Sequence, residues 1–175
     1  VDPALAAAAA GILADVGEAA DYEAFLTRFQ GATDPQEEQR YLYLLADFED
    51  PGLFARTLAL TLTDQVRSQS APYVIRRALT NRERGADAWA WITEHWDEAN
   101  ARFPSNSISR MLGGIRVLDD GALADGIEAW LDDHPVPQGA KQLQQARERL
   151  RVNVAHRARE ADRLESHLLR PTGTG

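Results

Sequence analysis

The side chains able to do chemistry are few in this sequence, and their spacing rarely suits it. His156 and Glu160 stand one helical turn apart, so they share a face and could each offer a metal ligand. No third ligand stands at a matching spacing, and HExxH does not occur. An exposed pair on an arginine-rich helix accounts for them more simply. His95 has no serine or cysteine nucleophile in a recognisable motif beside it and reads as a histidine satisfied by a neighbour. Asp119-Asp120 and Asp132-Asp133 are paired carboxylates at helix ends, the first read as capping and the second as a solvated terminus. Gly113-Gly114 follows no strand and is too short to cradle a phosphate. Arg76-Arg77 is a small basic spot that reads as a solvated face. Trp89, Trp91 and Trp96 could stack on a base or a sugar, but they fall on helical periods and read as packing. No constellation here makes or breaks a bond by itself.

The elements that would position these residues all read as helices. Trp89, Ile92, Trp96, Ala99 and Phe103 recur at steps of three and four and share one face. Ala88, Trp91 and His95 share a second, which predicts an inner helix sandwiched between neighbours. Upstream, Ala4 to Val16 is an alanine-rich helix with Pro3 in its first turn and Gly17 at its end. A short helix from about Asp21 to Gln30 buries Tyr22, Phe25, Leu26 and Phe29 before Gly31. Asp34-Pro35 starts the next, with Glu37 placed for a capping box and Tyr41, Leu44, Leu45 and Phe48 as its buried stripe. The same device recurs at Asp50-Pro51, ahead of Leu53, Phe54, Leu58 and Leu62, and the short link predicts an antiparallel hairpin.

Further on, a polar link at Asp64–Ser70 precedes a helix over about Pro72–Leu79. Ser105-Asn106-Ser107 can cap a short helix running to about Arg116. Asp119 or Asp120 starts one that turns Leu123, Ile127, Trp130 and Leu131 inward. Pro137 opens the last, whose stripe of Leu143, Ala146, Leu150, Val154, Ala161, Leu164 and Leu168 runs about thirty residues, roughly 45 Å. The reading is all-α: about nine helices in antiparallel pairs, a HEAT- or armadillo-like right-handed superhelix ending in one long helix. Residues 1–170 form a single domain and the tail at 171–175 is disordered.

With 44% apolar and 26% charged residues the chain is globular rather than disordered. It has no cysteine, so disulfides and thiolate metal sites are excluded. Residues 1–140 hold 11 Lys and Arg against 23 Asp and Glu, whereas residues 141–175 hold 8 against 4. The basic end is expected to dock on an acidic neighbouring surface, and a net charge of −8 argues against nucleic acid or an anionic membrane as partner. No apolar run reaches membrane-spanning length. A start at Val1 inside a helical pattern suggests a fragment of something longer, and the absence of cysteine fits a reducing, cytoplasmic location.

Several phrases, in order, resemble the C-terminal helical domain of the zinc aminopeptidase N family, the group containing puromycin-sensitive and endoplasmic-reticulum aminopeptidases. Phe48–Gln69 is similar to an F-x-D-P-x-L helix start followed by V-R-x-Q. Asn81, Gly85, Ala88 and Trp89 resemble N-x-x-G-x-x-x-A-W, and His95-Trp96 a following N/H-W. Phe103, Ser107, Ile108 and Arg110 resemble R-F/Y…S-I-x-R, and His134-Pro135, Gln144, Glu148 and Asn153 resemble H-P…Q…E…N. The NRERG and PSNSISRML wording is similar to actinobacterial members. Ser70 and Arg82 depart from the family's usual Asp and Pro.

The resemblance implies a parent enzyme that removes amino-terminal residues from peptides. Zinc would be held by HExxH and a later Glu in a separate catalytic domain of the same polypeptide, none of which lies in this chain. It further implies that this chain is a non-catalytic cap that encloses the peptide cavity and gates access, with no cofactor of its own. Gln69, Asn81, Ser107 and Arg110 are the candidates for lining that cavity, Arg110 for meeting a peptide carboxylate. The alternative is a free-standing HEAT-like scaffold for a protein partner.

Overall fold

The computed structural model describes residues 3–168, and every regular element among them is helical. In chain order these are α1 (Pro3–Val16), α2 (Ala19–Gly31), α3 (Pro35–Leu44), α4 (Pro51–Leu60), α5 (Ala71–Leu79), α6 (Gly85–Glu94), α7 (Trp96–Arg102), α8 (Ser105–Leu112), α9 (Gly121–Asp133) and α10 (Ala140–Leu168). Two 3₁₀ turns, Leu45–Asp47 and Gly113–Val117, join α3 to α4 and α8 to α9. The expected tail at 171–175 lies outside the described residues.

Local chemistry sets three of the helix starts directly. Asp34 accepts from the Gln36 and Glu37 amides at 3.3 Å, and Asp50 accepts from Gly52 and Leu53 at 2.9 Å. Each satisfies donors that a helix start leaves orphaned, and each is followed by a proline that needs no donor there. Asp120 caps α9 through the Leu123 amide at 2.8 Å. The Ser105–Ser107 cap does not form; Pro104 precedes α8 without a side-chain cap. The helix ends at Leu112, and the chain tightens into the 3₁₀ turn that carries it to Val117.

The expected α3–α4 hairpin is absent. The 3₁₀ turn at Leu45–Asp47 and the extended Phe48 redirect the chain, because Leu45, Ala46 and Phe48 are themselves fully buried. α3 packs instead against α2, and α4 against α5 and the turn. Around this corner Tyr22, Phe25, Tyr41 and Phe48 meet edge to face, with centroids 5.2–5.7 Å apart, a favoured aromatic geometry. The Tyr22 hydroxyl bonds Thr57 Oγ1 at 3.0 Å, and burial pushes that phenol up.

The tryptophan helix is two helices, which is why ten form among the described residues where about nine were expected. His95, at φ −107° and ψ 20°, breaks the register between α6 and α7, although the Ala99 amide still reaches the His95 carbonyl at 3.0 Å. Trp89, Ile92, Ala99 and Phe103 are buried as the period predicts, but Trp96 is half-buried. Beyond the break it lies at the end of the bundle, edge-on to Trp130 at 4.8 Å. Ala86, Asp87, Ala90 and Glu94 are exposed, so α6 has one buried side and is not sandwiched.

The inner helix is α5. Ala71, Pro72, Val74, Ile75, Ala78 and Leu79 are all buried, and the helix packs against α3, α4, α6, α8 and both 3₁₀ turns. Each large apolar side chain buried there contributes roughly 1.5–3 kcal/mol. Close approach of the second turn requires Gly114, where a Cβ would lie 2.8 Å from the Arg76 carbonyl and 2.7 Å from Leu79 Cβ.

α10 starts at Ala140 rather than Pro137 because Gly139 takes a left-handed φ of 78° and presses against Ser109. Its stripe is buried through Leu143, Ala146 and Leu150, and Val154 is half-buried. Beyond that the expected stripe fails: Ala161 is exposed, Leu164 is 59% exposed and Leu168 71%, because the helix projects past the elements that cover its first half. The basic end does meet acidic neighbours. Arg147 and Arg151 pair with Glu128, Arg147 also with Asp132 at 2.7 Å, and Arg157 with Asp119 at 2.5 Å.

Candidate functional site

A polar groove of about 530 Å³ opens where the link into α5 meets the start of α8. Its walls bring together three of the four sequence candidates, Gln69, Ser107 and Arg110, with Arg67, Tyr73 and Asn106. Buried Val66 and Thr61 anchor the link, and the Ser70 amide bonds the Arg67 carbonyl at 2.8 Å, turning the chain into α5. Tyr73 lies on α5 beside the buried Pro72 and Val74, half out of the core. On α8 the buried Ser107, Ile108 and Met111 fix the helix and leave Arg110 exposed.

Arg110 Nη1 donates to the Tyr73 hydroxyl at 2.9 Å, which aims the guanidinium across the groove. Among the described residues no carboxylate pairs with it. Arg67 also faces the groove, but Nη2 donates to Glu38 at 3.0 Å and part of its charge is met. Gln39 also lines the groove; its Nε2 donates to the Tyr43 hydroxyl at 2.8 Å, and burial pushes that phenol up. The groove is therefore cationic and rich in neutral hydrogen-bonding groups, a setting for a carboxylate rather than for proton transfer. Arg67, Tyr73 and Gln39 were missed by sequence reasoning. For Arg67 a signal existed in the V-R-x-Q phrase; for Tyr73 and Gln39 none did.

Asn81 is placed elsewhere. Its amide nitrogen faces the Ala46, Asp47 and Phe48 carbonyls at 3.1, 3.1 and 3.3 Å. Its oxygen accepts from the Glu83 and Arg84 amides at 3.0 and 3.1 Å. That exhausts an asparagine's capacity. Arg84 Nε donates to the Glu49 carbonyl at 2.7 Å, and Arg77 grips Asp47 through two nitrogens at 2.7 and 2.5 Å. Donating these hydrogen bonds to Asp47 raises the pKa of the Arg77 guanidinium above its ordinary value. The end of α5 and the turn after it thus clamp the Leu45–Asp50 corner.

The two histidines of the tryptophan clusters are caps. His95 Nδ1 reaches the Trp91 carbonyl at 3.0 Å and His134 Nδ1 the Trp130 carbonyl at 2.8 Å, so Nδ1 carries the proton in both. Each ring stacks on the tryptophan four residues earlier, at 4.6 and 3.9 Å between centroids. Trp96 and His134 border a second, more apolar groove of about 500 Å³ with Ile108 and Val136, on the other side of the α8 start. His156 is exposed, and Glu160 pairs with Arg159 and Arg163; the Arg159 hydrogen bond holds its carboxyl low. Among the described residues no three His, Asp or Glu side chains gather to hold a metal. Nor is any helix among them long and apolar enough to cross a membrane.

A family model described as the ERAP1-like C-terminal domain matches residues 1–152. Among curated proteins, aminopeptidase M1-B of Oryza sativa subsp. japonica is 37% identical over 90 residues, 51% of this chain and 10% of that protein. The alanine/arginine aminopeptidase of Saccharomyces cerevisiae is 32% identical over 107 residues, 61% of this chain and 12% of its own length. Aminopeptidase M1 of Arabidopsis thaliana is 27% identical over 143 residues, 81% of this chain and 16% of its length. The chain thus spans between a tenth and a sixth of the relatives it matches.

Proposed function

The chain belongs to the family of ERAP1-like C-terminal domains, and from that premise we propose that it is the cap of a zinc-dependent M1-type aminopeptidase. In this reading the parent enzyme removes amino-terminal residues from peptides. The catalytic domain of the same polypeptide supplies the zinc and the reacting groups. This chain supplies stacked, HEAT-like helical pairs that enclose the peptide cavity and gate entry to it. Residues 1–170 act as one unit. The relatives in rice, thale cress and yeast, each named as an aminopeptidase, support the activity.

The observation that carries the cap's own role is the polar groove. Arg110, held by Tyr73 and carrying no carboxylate partner among the described residues, offers a planar fork to a peptide carboxylate. Gln69 and Ser107 offer neutral hydrogen bonds beside it, and the apolar groove across the α8 start offers room for side chains. Asn81 serves indirectly, by holding the corner on which α5 and Tyr73 rest.

The test is Arg110→Ala in the full-length enzyme. A charge-assisted hydrogen bond predicts a loss of roughly tenfold or more in kcat/KM for longer peptides, expressed mainly in KM. A dipeptide-like substrate, too short to reach the groove, should be nearly unaffected. Equal losses on both would refute the assignment.

A further inference from the structure

A third groove, on a different side of α5, has no part in the reading above. It lies between the first half of α10, the Gly113–Val117 turn and the end of α5, and encloses about 530 Å³. Three arginines from three elements line it: Arg76 on α5, Arg116 on the turn and Arg149 on α10. Gln142, Gln145 and Asn153 add amides from one face of α10, and no carboxylate lines it.

That composition departs from the rest of the molecule. The chain carries 27 Asp and Glu against 19 Lys and Arg. Ten of the seventeen described arginines lie within ion-pair distance of a carboxylate. Arg147 and Arg151, the neighbours of Arg149 on α10, are both paired with Glu128. Arg76, Arg116 and Arg149 are left without one among the described residues, although acids outnumber bases overall. Three like charges lining one groove repel, a cost that a bound anion removes.

The walls are fixed before any ligand arrives. Gly114 brings the turn so close to α5 that a Cβ would meet the Arg76 carbonyl, which places Arg116 near Arg76. Asn153 Nδ2 donates to the Arg116 carbonyl at 2.6 Å and ties α10 to the same turn. The seam between α10 and this turn is among the most extensive packing contacts in the molecule.

We propose that this groove binds a compact polyanion of the phosphate class. Its volume falls within the range of small-molecule sites, roughly 300–1,000 Å³. A single carboxylate would satisfy one guanidinium and leave two unmet. Linked phosphates carry several charges in a body small enough to meet all three, and the arginine fork bonds phosphate oxygens in pairs. The lining holds no aromatic ring, so no surface is present on which a nucleobase would stack; the rest of the floor is Gly113, Val117 and Ala146. The ligand is therefore a polyphosphate recognised through its phosphates alone.

Isothermal titration of the full-length protein with inorganic tripolyphosphate tests this, whether or not the peptidase reading holds. One equivalent should bind, with an affinity that falls steeply as salt rises. Arg116→Gln and Arg149→Gln alter exposed side chains and should each weaken binding roughly tenfold or more. Gly113→Asp places a carboxylate in the groove where a Cβ meets nothing within 4 Å, and should abolish it. Arg40→Gln and Arg82→Gln, exposed arginines outside the groove, should leave affinity within about twofold. No binding at millimolar tripolyphosphate overturns the proposal. So does equal weakening by Arg40→Gln, or tighter binding of an oligoglutamate peptide than of tripolyphosphate.

Discussion

Asn81→Ala should damage the fold well beyond what a half-exposed asparagine in a turn suggests. The amide makes two kinds of connection at once. Its oxygen caps the turn into α6 by accepting from the Glu83 and Arg84 amides. Its nitrogen gathers the Ala46, Asp47 and Phe48 carbonyls, 33 to 35 residues away in sequence. Losing the cap costs about 1 kcal/mol. Losing the donor leaves three carbonyls, one on the fully buried Ala46, sharing no hydrogen, for about 1–3 kcal/mol more after allowing for partial access of water. The expected total is about 2–4 kcal/mol. Urea unfolding followed by tryptophan fluorescence reads it directly.

Asn81→Asp separates the two parts. It keeps the accepting oxygen and so the cap, but turns a carboxylate toward three carbonyls. At pH 7 it should therefore cost at least as much as the alanine. Those carbonyls raise the folded pKa of the new carboxyl above about 3.9, the unfolded value. The folded state then takes up the proton first, and the deficit against wild type narrows as pH falls through the folded pKa. An aspartate variant as stable as wild type at pH 7, with an alanine loss near 1 kcal/mol, would refute the clamp and leave only a cap.

Trp96→Ala should cost about 2–3 kcal/mol in chemical denaturation, below the 3–5 of a fully buried tryptophan, because its ring is half-buried against Trp130. A loss under about 1 kcal/mol would show that the ring is effectively in water. Glu128 is worth a pH series. Burial alone would push its carboxyl up, but hydrogen bonds from Arg151 and Arg147 outweigh it and hold the pKa low. A depressed folded pKa stabilises above the unfolded value, about 4.3, and that stabilisation is lost as pH falls through the folded one. Glu128→Gln should therefore cost roughly 1–2 kcal/mol at pH 7, discounted for the exposed Arg151, and the gap to wild type should close as pH falls below about 4.3 and through the folded pKa. A gap independent of pH would show that packing, not charge, holds α9 to α10.

What could be read from the sequence follows the range of the forces involved. The caps at Asp34, Asp50 and Asp120 were legible because the carboxylate and the amides it satisfies lie two or three residues apart. The all-helical class was legible because an apolar period repeats within one element. The groove was not. Arg110 meets Tyr73 across 37 residues, and no periodicity links them; Gln69, Ser107 and Arg110 came from family phrases rather than from their chemistry. The central helix was misplaced for a related reason. Three tryptophans mark α6 and α7 loudly, whereas α5 is nine residues long and carries two arginines. Yet its arginines sit on the one strip that is not buried, and six apolar residues fill the rest.

The end of α10 makes the converse point. A period of three and four records a capacity for burial, and says nothing of whether an element exists to provide it. Through Leu150 the stripe has such elements, in the Gly113–Val117 turn, α8 and α9. At Leu164 and Leu168 the same pattern continues into exposure. The family match stops at residue 152, beside the last fully buried position of the helix, Leu150. The shared sequence therefore ends close to where full burial along the helix ends, with Val154 half-buried just beyond it. Up to that point a substitution on the stripe disturbs a core, whereas at Leu164 and Leu168 no neighbour among the described residues imposes that constraint.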